Sequence, residues 1–181
     1  MAKYFVPLEY EYNDGGRKAS GHKGTGGDCV SRAIAIALGL PYKGVWDYMT
    51  FMKKSDWTAG TANGGVSSKI FGVFLEDRGW KQECLYGREI KPLRIFRPQH
   101  KNMIALLKPK NKKGSHLVCI KDGKVLDSWD CLKSKNHYYV HKIYYKMNRA
   151  QRNAWREFMR SVKRNPKWNY VRVPRKKKEA K

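Results

Sequence analysis

The stretch from Ser115 to Trp129 (SHLVCIKDGKVLDSW) constrains the fold of this chain more than any other. Asp-Gly between two apolar runs is the strongest short-range signal for a two-residue hairpin loop, because both loop positions need a positive φ. With Asp122-Gly123 as that loop, Lys121 opposes Lys124, Val118 opposes Asp127 and His116 opposes Trp129. Side chains alternate across a strand, so His116, Val118, Asp127 and Trp129 share one face. Asp127 is then the diagonal neighbour of His116. A carboxylate there can accept the imidazole Nδ1–H, fixing the tautomer and leaving Nε2 for a second partner. Trp129 is placed to roof that hydrogen bond against water, and Asp130 falls on the opposite face unless a bulge intervenes.

A second constraint lies upstream. Residues 13–27 (NDGGRKASGHKGTGG) read as a polar, Gly-rich loop. Asp28 is a good N-cap, and CVSRAIAIAL reads as a helix that is apolar on nearly all sides and ends at Gly39 and Pro41. A short helix of that kind is central and buried. Cys29 falls in its first turn, where free N–H groups and the positive end of the helix dipole stabilise a thiolate and lower its pKa. The same N–H groups can face a developing oxyanion. Each feature also has an ordinary structural reading: Cys29 as a small buried apolar residue, His116 as a strand residue, Asp127 as a hairpin terminator, Trp129 as core. Together they point to a nucleophile, a base and an orienting acid.

The remaining elements fit around these two. Residues 3–12 predict an edge strand. Helices are expected over 43–53, with Val45, Trp46 and Met49 on one face, and after Gly64-Gly65. The latter starts near Ser67 or Ser68, carries Ile70, Phe71, Phe74 and Leu75, and stops at Gly79. Residues 103–107 and 138–146 read as strands. The fold class is α+β: helices first, then an antiparallel sheet packed against the Cys29 helix.

GDCVSRAIAIALGLPY followed by SHLVCIKDGKVLDSWD resembles a group of short papain-like domains common in phages and bacteria. In these a G-D-C-[VT]-x-R-A segment pairs with a later H-x-V-x-x-x-D-G-x-x-x-D-[ST]-W-D segment. The match spans about residues 26–140. It implies a papain-like fold, a phage origin, and a cysteine hydrolase with Cys29 as nucleophile, His116 as base and Asp127 as orienter. Asp127-Ser128-Trp129 looks like the Asn-Ser-Trp of papain-like peptidases, whose Asn orients the histidine and whose Trp shields it. The chain departs from the pattern at the oxyanion Gln, some six residues before the cysteine, where Lys23 stands with His22 beside it. The donor is then Lys23, or the backbone N–H of Cys29 with another group, or the oxyanion hole is deficient. Trp57, Trp80 and the Gly60–Gly65 loop are candidate rims of a substrate pocket, and a protein or peptide is the expected substrate.

Charge adds a second theme. Lys and Arg number 39 against 15 Asp and Glu, a formal net charge of +24, which predicts attraction to polyanions. The last 40 residues hold 15 Lys and Arg against two Glu. RAQRNAWREFMRSVKR reads as an amphipathic helix with Arg149, Arg152, Arg156, Arg160, Lys163 and Arg164 as a candidate DNA- or RNA-contacting face. The expected organisation is a thiol hydrolase domain over 1–147 and a basic helix and tail over 148–181. No Cys pair is spaced C-x-x-C, so neither a metal nor a cofactor is expected. The longest apolar run, Ala33 to Leu38, is too short to span a bilayer. With no secretory h-region, a host cytoplasm, or a virion for a phage protein, is the expected location. Two functions follow: a papain-like hydrolase with a basic extension, or a non-catalytic nucleic-acid-binding protein on the same scaffold.

Overall fold

The computed structural model describes residues 8–23, 26–55, 61–85, 92–93, 96 and 98–164. The side chains of 155, 158, 159 and 161–164 lie outside that description. Trp57, Gly60 and residues 3–7 are likewise outside it. The chain divides into two units, Met1–Lys146 and Met147–Lys181.

The first unit is α+β. In chain order it comprises β1 (Glu9–Tyr12), α1 (Cys29–Leu38), α2 (Tyr42–Ser55), α3 (Ser68–Asp77), β2 (Trp80–Cys84), β3 (Asn102–Pro109), β4 (His116–Lys121), β5 (Lys124–Asp127) and β6 (Tyr138–Lys146). The six strands form one sheet in the order β1-β5-β4-β3-β6-β2. The sheet is mixed rather than purely antiparallel, because β1 pairs with β5 in parallel at the sheet edge. A parallel partner needs a long crossover, and here α1 to α3, β2, β3 and β4 lie between the two strands.

The hairpin forms in the predicted register, with Lys121 opposite Lys124, Ile120 opposite Val125 and Cys119 opposite Leu126. Asp122 (φ 49) and Gly123 (φ 81) both take left-handed dihedrals, as a two-residue loop between twisted strands requires. Alternation then sorts the side chains. Leu117, Cys119 and Leu126 join the helix-side core with Ile34, Met49, Phe71, Phe74 and Tyr144. Val118, Ile120 and Val125 join a second core with Met103, Leu107, Val140 and Ile143. Ile34 is fully buried at the centre of α1, so truncating it to Ala should cost ~2–5 kcal/mol.

Local signals explain the helix ends. Gly39 closes α1 in the left-handed conformation (φ 64), its N–H bonded to the Ala35 carbonyl. Ser67 caps α3, its hydroxyl accepting from the Lys69 N–H at 3.2 Å. Asp28 behaves differently: it occupies the N-cap position of α1, yet its side chain caps nothing. Trp80, expected at a pocket rim, is a buried core residue instead, 3% exposed.

The second unit holds α4 (Arg149–Arg164). Asn148 and Gln151 exchange reciprocal hydrogen bonds (2.8 and 3.0 Å) that satisfy its first N–H groups. Arg149, Arg156 and Arg160 are exposed, as are Ala150 and Ala154, while Arg152 is half-buried. Among the described residues no helix is long and apolar enough to cross a membrane.

Candidate active site

Cys29 is the first residue of α1, His116 the first of β4 and Asp127 the last of β5. His116 and Asp127 lie beyond the last β4–β5 ladder pair, Cys119 with Leu126. At these strand ends both side chains reach the N-terminal end of α1. The His116 Nε2 and the Asp127 Oδ2 are 2.5 Å apart, and Cys29 and His116 line one groove close enough to shift each other's titration. The three residues singled out in the sequence therefore meet.

The ring orientation is the reverse of the expected one. Asp127 holds Nε2, not Nδ1, so Nδ1 is the nitrogen left to serve the thiol. Asp127 is the last residue of β5. The strand stops there, and the Asp127 carbonyl accepts from the Asn13 N–H at 2.9 Å and the Tyr10 hydroxyl at 3.3 Å. The same stop keeps Trp129 out of the ladder, so it does not oppose His116 as a strand partner. It lies at a tilt to the imidazole, with ring centroids 5.3 Å apart, and remains 37% exposed. Asp130 turns away and accepts from the N–H groups of Leu132 and Lys133.

The Asp28 carboxylate is fully buried and binds three partners. Its Oδ1 lies 2.5 Å from Arg32 Nη1, its Oδ2 lies 2.7 Å from Arg17 Nε, and the Tyr42 hydroxyl donates to the same Oδ2. Charge-assisted bonds to two guanidiniums outweigh a bond to a helix N–H, which is why this acid does not cap α1. Arg32 extends the chain of charge, its Nη2 standing 3.6 Å from Asp127 Oδ1. That oxygen also accepts from the Ser128 N–H at 2.7 Å. A buried ion chain, Asp28–Arg32–Asp127, thus runs behind Cys29 and His116. A charged residue inside an apolar helix rarely stays buried without a partner, so Arg32 within CVSRAIAIAL carried a legible signal. Arg17 carried none.

These contacts set the titration. Burial raises the Cys29 thiol, but the hydrogen bond and charge of His116, the Leu117 N–H and the charge of Arg32 hold it below its ordinary value. Burial lowers His116, yet its bonds to Asp127 and Cys29 and their charges push it up to about 9. Both shifts move the pair toward thiolate and imidazolium.

A groove of about 1080 Å³ opens over Cys29 and His116. Lys23 lines it and is exposed. Its carbonyl accepts from Arg17 Nη2 at 3.0 Å, while its ammonium has no partner among the described residues. Gly64 and Gly65 line the groove as expected for a rim. Gly27 bridges to Gly64, and a Cβ on Gly27 would stand 2.5 Å from the Asn63 carbonyl oxygen. Only glycine lets the loop before Cys29 approach so closely. Among the described residues no group of His, Cys, Asp or Glu could hold a metal.

No family model matches this chain, and neither a curated protein nor a solved structure matches it.

Proposed function

We propose that the protein is a papain-like cysteine hydrolase that cleaves a peptide or related amide by thiol acyl transfer. One observation carries this reading: a thiol held below its ordinary pKa at a helix start stands beside an imidazole that is bonded to a buried carboxylate. The Cys29 thiolate attacks the substrate carbonyl, forming a C–S bond. His116 passes its proton to the departing amine as the C–N bond breaks. Water, deprotonated by His116, then hydrolyses the thioester to a carboxylic acid and restores the thiol.

The backbone N–H of Cys29, without an acceptor inside its own helix, is one oxyanion donor. The Lys23 ammonium is the second in place of a glutamine. Loss of one such donor costs roughly 10²–10³ in rate in comparable sites, so Lys23→Ala should fall by that order.

The test is the alkylation rate of Cys29 against pH, read by mass spectrometry, in the wild type and in His116→Ala. Fast reaction well below about pH 8.5, abolished by the substitution, is the expected result. A Cys29 that reacts like an ordinary thiol in both proteins sinks the reading.

A second reading is favoured by α4, where Arg149, Arg152, Arg156 and Arg160 have no acidic partner among the described residues. On it the basic helix attaches the protein to DNA or RNA, with or without turnover at Cys29. Such binding weakens steeply with salt, and a salt-independent affinity would exclude it.

A further inference from the structure

The groove over Cys29 carries more positive charge than its neighbouring acids neutralise. Arg17, Lys18, Lys23 and Arg32 line it, and Asp14 is the one acid among its lining residues. The two guanidiniums face two buried carboxylates, Asp28 binding both and Asp127 standing 3.6 Å from Arg32. The Asp14 carboxylate accepts from the N–H groups of Gly16 and Lys18, each at 2.9 Å. Lys18 and Lys23 are both exposed, and neither ammonium has an acidic partner among the described residues. Beside them Tyr12 (63% exposed) and Trp129 offer apolar surface to the same groove.

We propose that this groove selects an acidic peptide segment, drawn by the positive field that Lys18 and Lys23 set up beside the scissile carbonyl. The inference deepens the hydrolase reading and rests on it. Two unpaired ammonium groups in a concave site focus a positive potential on any ligand there. A nucleic acid would satisfy the charge but offers the thiolate no acyl carbon, whereas an acidic peptide satisfies both. An extended peptide points successive side chains to opposite sides, so the aromatic pair can take an apolar neighbour of an acidic residue.

Two otherwise identical peptidyl chloromethyl ketones test this, one with Glu and one with Gln beside the electrophile. In each the thiolate displaces chloride and leaves a thioether on Cys29. The pair differs by one charge, so the ratio of their inactivation rates isolates electrostatic selection. The Lys18→Glu/Lys23→Glu variant is compared with the wild type. Any loss of oxyanion stabilisation through Lys23 affects both reagents and cancels in the ratio. The expected wild-type preference for the Glu reagent is roughly threefold to tenfold at low salt, shrinking as salt rises. In the variant the preference should vanish or invert. Equal rates for the two reagents, or a ratio unchanged in the variant, would overturn the proposal while leaving the thiolate site standing. Rapid alkylation by iodoacetamide with no reaction toward either peptide would also overturn it. A Cys29 slow toward iodoacetamide as well would remove the hydrolase reading, and this inference with it.

Discussion

The two ends of α1 each present a thiol from the α1–β4 region, and the two thiols differ in kind. At the N-terminal end, Cys29 has His116, the Leu117 N–H and Arg32 as neighbours, and its pKa is held down. Toward the C-terminal end, Cys119 lies in the apolar core, its thiol 3.8 Å from Asn102 Oδ1. Asn102 in turn donates to the Ala37 carbonyl at 2.7 Å. Burial alone dominates there and pushes Cys119 up to about 12, with only Lys121 acting against it. Burial raises the pKa of both thiols; what separates them is whether positive charge and donors face the sulfur. A buried cysteine is inert by default and becomes a nucleophile only where a second element delivers a cation to it.

The strongest way to break this comparison is His116→Ala. The substitution should lower any Cys29-dependent turnover by roughly 10²–10⁴ and leave Cys119 as unreactive as before. Peptide-resolved alkylation in the same sample compares the two thiols directly. Arg32→Met should be the next most severe change, since it leaves Asp28 and Asp127 buried without their shared cation. The expected cost is ~3–5 kcal/mol in urea unfolding, with the pH onset of Cys29 alkylation moving upward. A stable variant with an unmoved onset would show that the ion chain does not act on the thiol.

The pH dependence of stability sharpens the contrast further. His116 rises from 6.5 to about 9 on folding, so its contribution is complete below pH 6.5 and lost as pH rises through about 9. Cys29 is lowered from 9.0, so its contribution is present above pH 9.0 and lost as pH falls through the lowered value. The two slopes oppose each other where the two windows overlap below pH 9, so the wild-type profile is flatter than His116 alone would make it. Cys29→Ser should uncover a decline with rising pH, measured by urea midpoints across that range. The smallest effect belongs to Cys119→Ala, about 1 kcal/mol of stability with no change in Cys29 reactivity. A shifted Cys29 onset in that variant would mean that the two ends of α1 are coupled.

Much of the site was legible because it rests on local signals. Asp122-Gly123 fixed the hairpin register through its φ demands, and that register brought His116 and Asp127 to one end of the sheet. Gly39 and the apolar run before it set the span of α1, which put Cys29 in the first turn. What could not be read depended on partners distant in sequence. Asp28 looked like a cap because capping is a local rule, but Arg17, Arg32 and Tyr42 offered it stronger bonds. Trp129 looked like a strand residue because alternation extends without limit on paper, whereas β5 ends where β1 pins the carbonyl of Asp127. Trp80 looked like a rim because its burial is set by core packing that no neighbour in sequence announces.

By itself, then, the sequence determined the elements that bear the chemistry: a helix opening on Cys29 and a hairpin carrying His116 and Asp127. Turn dihedrals, helix ends and side-chain periodicity are short-range, so a single chain displays them openly. The tertiary structure alone decided which imidazole nitrogen faces the thiol, that β1 joins the sheet in parallel, and that a buried Asp28–Arg32–Asp127 chain stands behind the site. Those outcomes depend on ionic and hydrogen-bond energies between groups up to about a hundred residues apart, which only the folded chain brings within reach.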